Sequence, residues 1–258
     1  MTVAIKKITA QALQAAETNW LVLDTRSAAD YLQGHMPQAR HVDPLVFALP
    51  HTDARSLAQF KVTVRVLLSA LGLTLEQPVA VMGAANEVNA FRVVWALAYA
   101  GVRQIAIVDK GYAAWSGALS QEVPAIAATV FSPDFQEQFL TPASALVSPA
   151  GDERIVLDAR EWVDYAGQKT SAKRAGRVPS ARFWDTAKEV DEQGLLNALQ
   201  TADIPAASNT VIYCGGGGRA ARTFVALQLA GHTQASVYPA SWGEWGNNDQ
   251  LPVDSNVL

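Results

Sequence analysis

The chain has 258 residues, half of them apolar and 17% charged, with a formal net charge of −4. This suits one large or two medium globular domains, and the lack of any basic run argues against a nucleic-acid partner. A single cysteine excludes an intrachain disulfide and fits a reducing compartment. No long apolar region follows the opening Met1 to Lys7, and the longest apolar stretch, Val93 to Ala100, is too short to cross a bilayer. The expectation is a cytoplasmic protein with no membrane partner.

In chain order, Thr9 reads as an N-cap for a helix through Ala16. Trp20 to Asp24 is a short apolar strand. Ser27 opens a second helical segment through Gln33, and Arg40 to Val42 reads as a strand. Leu57 to Leu71 is a helix closed by Gly72. Pro78 to Met82 reads as a buried strand, Asn89 to Ala100 as an apolar helix ended by Gly101, and Ile105 to Val108 as a strand. Strands alternating with helices predict an α/β fold, a mostly parallel sheet with helices on both faces.

Gly117 to Pro133 is small-residue, proline-containing chain of linker character. Beyond it the plan repeats. Thr141 mirrors Thr9. Val22-Leu23-Asp24-Thr25-Arg26 matches Val156-Leu157-Asp158-Ala159-Arg160, and Gly34-His35-Met36-Pro37 matches Gly176-Arg177-Val178-Pro179. Gly101 pairs with Gly231 and Trp115 with Trp245 at one constant spacing. The expected organisation is therefore two tandem domains, 1–118 and 134–258, joined by a linker at 119–133.

The second domain holds the most chemically loaded stretch, Val211-Ile212-Tyr213-Cys214-Gly215-Gly216-Gly217-Gly218-Arg219. It reads as strand, loop and the N-terminus of a helix from Ala220 to Ala230. Consecutive glycines let backbone N–H groups turn inward and form a concave anion site. The helix start adds its dipole at the same place. Such a setting favours a thiolate, the nucleophilic form of cysteine. Arg219 adds a planar fork for an oxyanion. Against this stands the plain reading of a buried cysteine beside a flexible turn. Arg219 is equally consistent with a loop-closing ion pair, for instance with Asp158, and Asp158 with an acceptor for backbone N–H groups. Arg177, Arg160, Arg182 and Arg222 are further candidates for an anion pocket, each weighed against a solvated arginine. Trp242 is a candidate pocket wall and Trp245 a core residue.

The constant spacing between halves sets Ala84 opposite Cys214. The segment Gly83-Ala84-Ala85-Asn86-Glu87-Val88-Asn89 has no thiol, no glycine run and no arginine, and Glu87 adds a negative charge. The first domain is expected to be inert. A cysteine-dependent phosphatase would place its arginine one position later, where Ala220 stands. A dinucleotide fingerprint at Gly215, Gly217 and Ala220 lacks the acidic residue after the next strand. A P-loop lacks Gly-Lys-Ser/Thr, and His35, His41, His51 and His232 lack metal-site spacing.

Cys214, Gly217 and Arg219 stand at the places of the cysteine, third-place glycine and fifth-place arginine in the active-site loop of the rhodanese family, which this loop resembles. Ala220 departs from the serine that often follows that arginine in single-domain members. The paired aspartates Asp24 and Asp158 and the paired His/Arg-x-Pro segments extend the resemblance over nearly the whole chain, twice. The resemblance implies two rhodanese-like domains with an inactive first one. It implies a Cys214 persulfide that moves sulfane sulfur from thiosulfate to cyanide or a thiol. Gly215, Gly216, Gly217, Gly218, Arg219, Arg177 and Asp158 are the expected substrate-binding residues. No metal or organic cofactor is implied. The alternatives are mercaptopyruvate as donor, although the loop lacks the Ser, Val and Thr found in such relatives, and a persulfide carrier with little free-donor turnover.

Overall fold

The computed structural model describes residues 2–16, 19–85, 87–147, 154–189 and 192–256. Asn86 of the first-half loop lies outside them. The chain divides into two compact units. One comprises Met1–Phe47 with Gln59–Gln136, the other Ala48–Ala58 with Glu137–Leu258. A short stretch of the N-terminal half thus folds with the second unit.

The first unit contains β1 (Ala4–Ile8), α1 (Ala10–Ala15), β2 (Leu21–Asp24), α2 (Ala28–Gln33) and β3 (Arg40–His41). Most of α3 (Ala54–Ala70), then β4 (Val79–Met82), α4 (Val88–Tyr99) and β5 (Gln104–Val108) follow. Thr9 and Ser27 cap α1 and α2, each accepting a backbone N–H three residues on. The sheet runs β1-β5-β4-β2-β3, and every pair is parallel. β4 is fully buried because helices cover both faces of a parallel sheet. β1 was not foreseen; its residues are mostly exposed, as an edge strand's are, and it carries no apolar run.

The second unit contains α5 (Ala143–Leu146), β6 (Ile155–Asp158), α6 (Trp162–Tyr165), β7 (Arg182–Phe183) and α7 (Glu192–Thr201). It ends with β8 (Thr210–Tyr213), α8 (Gly218–Leu229), β9 (Ala235–Val237) and α9 (Ser241–Trp245). Its sheet runs β7-β6-β8-β9, again all parallel. Val211, Tyr213, Tyr238, Trp242 and Trp245 form its core on one face. Trp245 is fully buried and its indole N–H donates to the Pro252 carbonyl at 2.6 Å. Truncating such a side chain costs about 3–5 kcal/mol.

The strand register corrects the equivalence drawn from spacing. Asp24 stands opposite Met82, and Asp158 opposite Tyr213. Met82 therefore corresponds to Tyr213, and Gly83, not Ala84, corresponds to Cys214. The bonds agree: Tyr112 N–H donates to the Gly83 carbonyl as Trp242 N–H does to that of Cys214. The loop before α4 is one residue longer than the loop before α8, so spacings counted along the helices misplace the strand end.

Candidate active site

Cys214 directly follows the C-terminal end of β8, and α8 starts at Gly218. This is the end of a parallel strand at which α/β folds gather their sites. The turn between them is tight. Gly217 takes φ +88°, and a Cβ there would stand 2.5 Å from the Pro239 carbonyl oxygen. Only glycine meets both conditions. Gly217 N–H donates to the Cys214 sulfur at 3.2 Å. The first helical bond of α8 runs from Ala221 N–H to the Gly217 carbonyl. The N–H groups of Gly218, Arg219 and Ala220 therefore precede the helical ladder.

Cys214 is 2% exposed. Beside it, a Cβ on Gly215 or Gly216 would meet nothing within 4 Å. A small reactant thus has open space next to a sheltered thiol. The start of the loop is fixed from the other side. Cys214 N–H donates to Ser241 Oγ at 3.0 Å, and Ser241 Oγ donates to the Tyr238 carbonyl. Ser241 holds this place at φ +55°, unusual for a residue with a side chain. Trp242 N–H and Gly243 N–H donate to the Cys214 and Gly215 carbonyls, both at 2.9 Å.

Arg219 lies in the first turn of α8. Its nearest acid is Glu161, at 3.5 Å, and both side chains are partly exposed. Such a loose pair in contact with solvent is weak, so the guanidinium remains available to an anion. The ion pair with Asp158 considered above does not form. Asp158 is instead wholly buried and accepts from Arg160 N–H, Nε and Nη2 at 3.0, 2.9 and 2.6 Å. Arg160 Nη2 also reaches the Gly176 carbonyl, and its guanidinium lies 4.3 Å from the centre of the Trp242 ring. Burial works against the charge on Arg160, but the bonds and charge of Asp158 outweigh it and its pKa is raised. Tyr213 O–H donates to Asp158 at 2.5 Å and accepts from Val178 N–H. Burial, then the Asp158 charge, pushes that phenol well above its ordinary value. Asp158 thus accepts a backbone N–H and anchors the strand that carries the cysteine; wholly buried and engaged by Arg160 and Tyr213, it is not placed to bind a substrate, which corrects its expected place among the binding residues.

Four candidates for the pocket are engaged elsewhere. Arg177 does not face an anion site. Its Nη2 pairs with Asp254 at 2.7 Å and its Nη1 donates to the Asn256 and Tyr165 carbonyls. It pins the C-terminal segment by an antiparallel bridge to Asp254, as His35 pins Ser120. Trp242 is 2% exposed and its indole N–H donates to the Arg174 carbonyl, so it packs in the core. Arg222 Nε pairs with Glu189 at 3.3 Å, and Arg182 donates to the Ala202 carbonyl.

The sequence reading missed Tyr213, Ser241 and Glu189. Tyr213 immediately precedes the cysteine, but its partner, Asp158, comes from another strand. The Glu189 carboxylate is almost fully enclosed and accepts from Trp184 Nε1 and Thr223 Oγ1. Burial raises its pKa against the pull of those bonds and of Arg222. Among the described residues, no group of three or more His, Cys, Asp or Glu is placed to hold a metal ion. No described helix is long and apolar enough to cross a membrane.

Comparison with known proteins agrees with this architecture. A rhodanese-like domain matches the chain twice, over residues 9–118 and 142–248. The thiosulfate sulfurtransferase of Azotobacter vinelandii is 27% identical over 245 residues, covering 91% of this chain and 90% of its own. That of Pseudomonas aeruginosa is 28% identical with the same coverage. The 3-mercaptopyruvate sulfurtransferase of Escherichia coli K12 is 25% identical over 256 residues, covering 90% and 87%. Among solved structures, wild-type EanB superposes with a TM-score of 0.84 at 19% identity, over 97% of this chain and 69% of its own, a likeness of fold. The chain belongs to the rhodanese family of sulfurtransferases, with two rhodanese-like domains in tandem.

Proposed function

We propose that this protein is a thiosulfate sulfurtransferase that works through a persulfide on Cys214. The observation that carries the reading is the sheltered Cys214 sulfur, which accepts the Gly217 N–H beside the open space over Gly215 and Gly216. The thiolate attacks the outer sulfur of thiosulfate. The bond between the two donor sulfurs breaks, sulfite leaves with its electron pair, and Cys214 keeps the sulfane sulfur as a persulfide anion. Loop and helix-start N–H groups cradle that charge. Cyanide or a thiolate then attacks the outer sulfur, leaves as thiocyanate or a new persulfide, and restores the Cys214 thiolate. The cycle is covalent and ping-pong and calls on no metal or organic cofactor. Arg219 binds the donor oxygens. The first domain is inert, and a free reactive thiol suits the cytoplasm.

Thiosulfate leads over mercaptopyruvate because a loosely paired arginine suits an inorganic oxyanion. The deciding assay is thiocyanate formation from thiosulfate and cyanide, with mercaptopyruvate as second donor and Cys214→Ser alongside. Turnover with thiosulfate, lost in the variant, is the expected result. Turnover with mercaptopyruvate alone changes the donor. No turnover with either, but a persulfide on Cys214 by intact mass, makes the protein a sulfur carrier.

A further inference from the structure

We propose that Thr52 is a positioning residue for the Cys214 loop, acting through the carboxylate of Glu244. The inference rests on Cys214 being the reacting group, and it assigns a part in the reaction to a residue of the catalytically inert half of the sequence.

Thr52 belongs to the stretch Ala48–Ala58 that folds within the second unit. Thr52 and Glu244 are both buried. Thr52 N–H donates to Glu244 Oε1 at 2.8 Å, and Thr52 Oγ1 donates to Oε2 at 2.6 Å. Tyr238 O–H donates to the same Oε2 at 2.8 Å. The Thr52 hydroxyl in turn accepts Ala143 N–H at 2.9 Å. Three donors therefore converge on one enclosed carboxylate, and the threonine hydroxyl has a partner in each direction. Hydrogen bonds to a buried charge are the strong kind, and a lost partner is costly there.

Glu244 sits on α9, a helix of five residues. A helix so short has no stability of its own, so its place is set by its anchors. The same helix supplies the Trp242 and Gly243 N–H groups that hold the Cys214 and Gly215 carbonyls. Each carbonyl shares a rigid plane with the next residue's N–H, which points the opposite way. Holding the Cys214 and Gly215 carbonyls thus sets the orientation of the first two peptide planes of the loop, which leads on to the Gly217 N–H that meets the Cys214 sulfur. The chain of contact runs from Thr52 to Glu244, through α9, to the loop. Arg219 is on α8, outside that chain, so donor binding is untouched.

The test uses the full-length protein. Thr52→Val removes the hydroxyl and keeps shape and backbone N–H; Thr52→Ser restores the hydroxyl. Thr52→Val should lower kcat about tenfold with the thiosulfate KM within about twofold of wild type, while Thr52→Ser stays within about twofold in both. The rate of Cys214 alkylation by iodoacetamide should shift at least about threefold in Thr52→Val and not in Thr52→Ser. If Thr52→Val does not fold, Glu244→Gln is read for the same pattern of lowered kcat at unchanged KM. The proposal is overturned by wild-type kcat and alkylation rate in folded Thr52→Val, by equal losses in the Val and Ser variants, or by a change in KM alone. Failure of wild-type turnover with thiosulfate would instead count against the donor reading, and alkylation would still report on Thr52.

Discussion

The Glu87 carboxylate fills the space that a side chain at Gly83 would need: a Cβ on Gly83 would lie 2.4 Å from Glu87 Oε2. Gly83 corresponds to Cys214 in strand register, so in the first unit an internal carboxylate stands where the second unit has its cysteine loop. That carboxylate accepts Ala84 N–H at 2.9 Å and Thr25 Oγ1 at 3.3 Å. Burial raises its pKa. Moving the thiol across should therefore fail. Gly83→Cys in a Cys214→Ser background is expected to form no thiocyanate and to unfold at a lower temperature than Cys214→Ser alone. Measurable turnover would show that Glu87 gives way easily.

The glycines of the Cys214 loop should separate into two kinds. Gly217→Ala places a Cβ against the Pro239 carbonyl at positive φ, with an expected loss of about 1–3 kcal/mol in urea unfolding and most of the activity. Gly215→Ala and Gly216→Ala meet open space and should keep wild-type stability, with a raised thiosulfate KM because the added methyls narrow the approach to the thiol. Equal stability in all three variants would contradict this division.

Arg219 and Glu161 should act in opposite directions on donor binding. Arg219→Ala should raise the thiosulfate KM about tenfold or more, as loss of a charged contact does. Glu161→Ala frees the guanidinium from its partner at 3.5 Å and removes a nearby negative charge, so KM should fall. Steady-state kinetics at low salt is the readout, where screening is least. A KM unchanged in both variants would make Arg219 structural.

Glu189 should leave a signature in stability against pH. Burial raises its folded pKa above the ordinary 4.5. The folded state then holds a proton that the unfolded state releases, so stability declines as pH rises from about 4.5 to the folded pKa. Below that window the penalty is absent; above it the penalty is complete. Glu189→Gln cannot ionise. The difference in unfolding free energy between variant and wild type should therefore grow in the variant's favour as pH rises through the window. A difference independent of pH would mean that Arg222 fully compensates the buried charge.

Much of this protein was legible locally. An apolar run, a turn residue and an apolar-periodic segment define strands and helices by short-range rules. That is why β4, α4, β8 and α8 fall within a few residues of expectation. The duplication was legible as well, because repeated strand, helix and tryptophan positions survive in linear order. The order strand, Cys214, glycines, Arg219 contained its own chemical argument. What each charged side chain pairs with was not legible. Arg177 with Asp254, Arg160 with Asp158 and Thr52 with Glu244 are separated by very different lengths of chain or compete with equally plausible acids, and only packing selects among them. The one-residue shift that aligns Gly83 with Cys214 was hidden for a related reason. Spacing counts residues along the chain, whereas sheet register counts hydrogen bonds between strands, and a loop lengthened by one residue changes the first without disturbing the second.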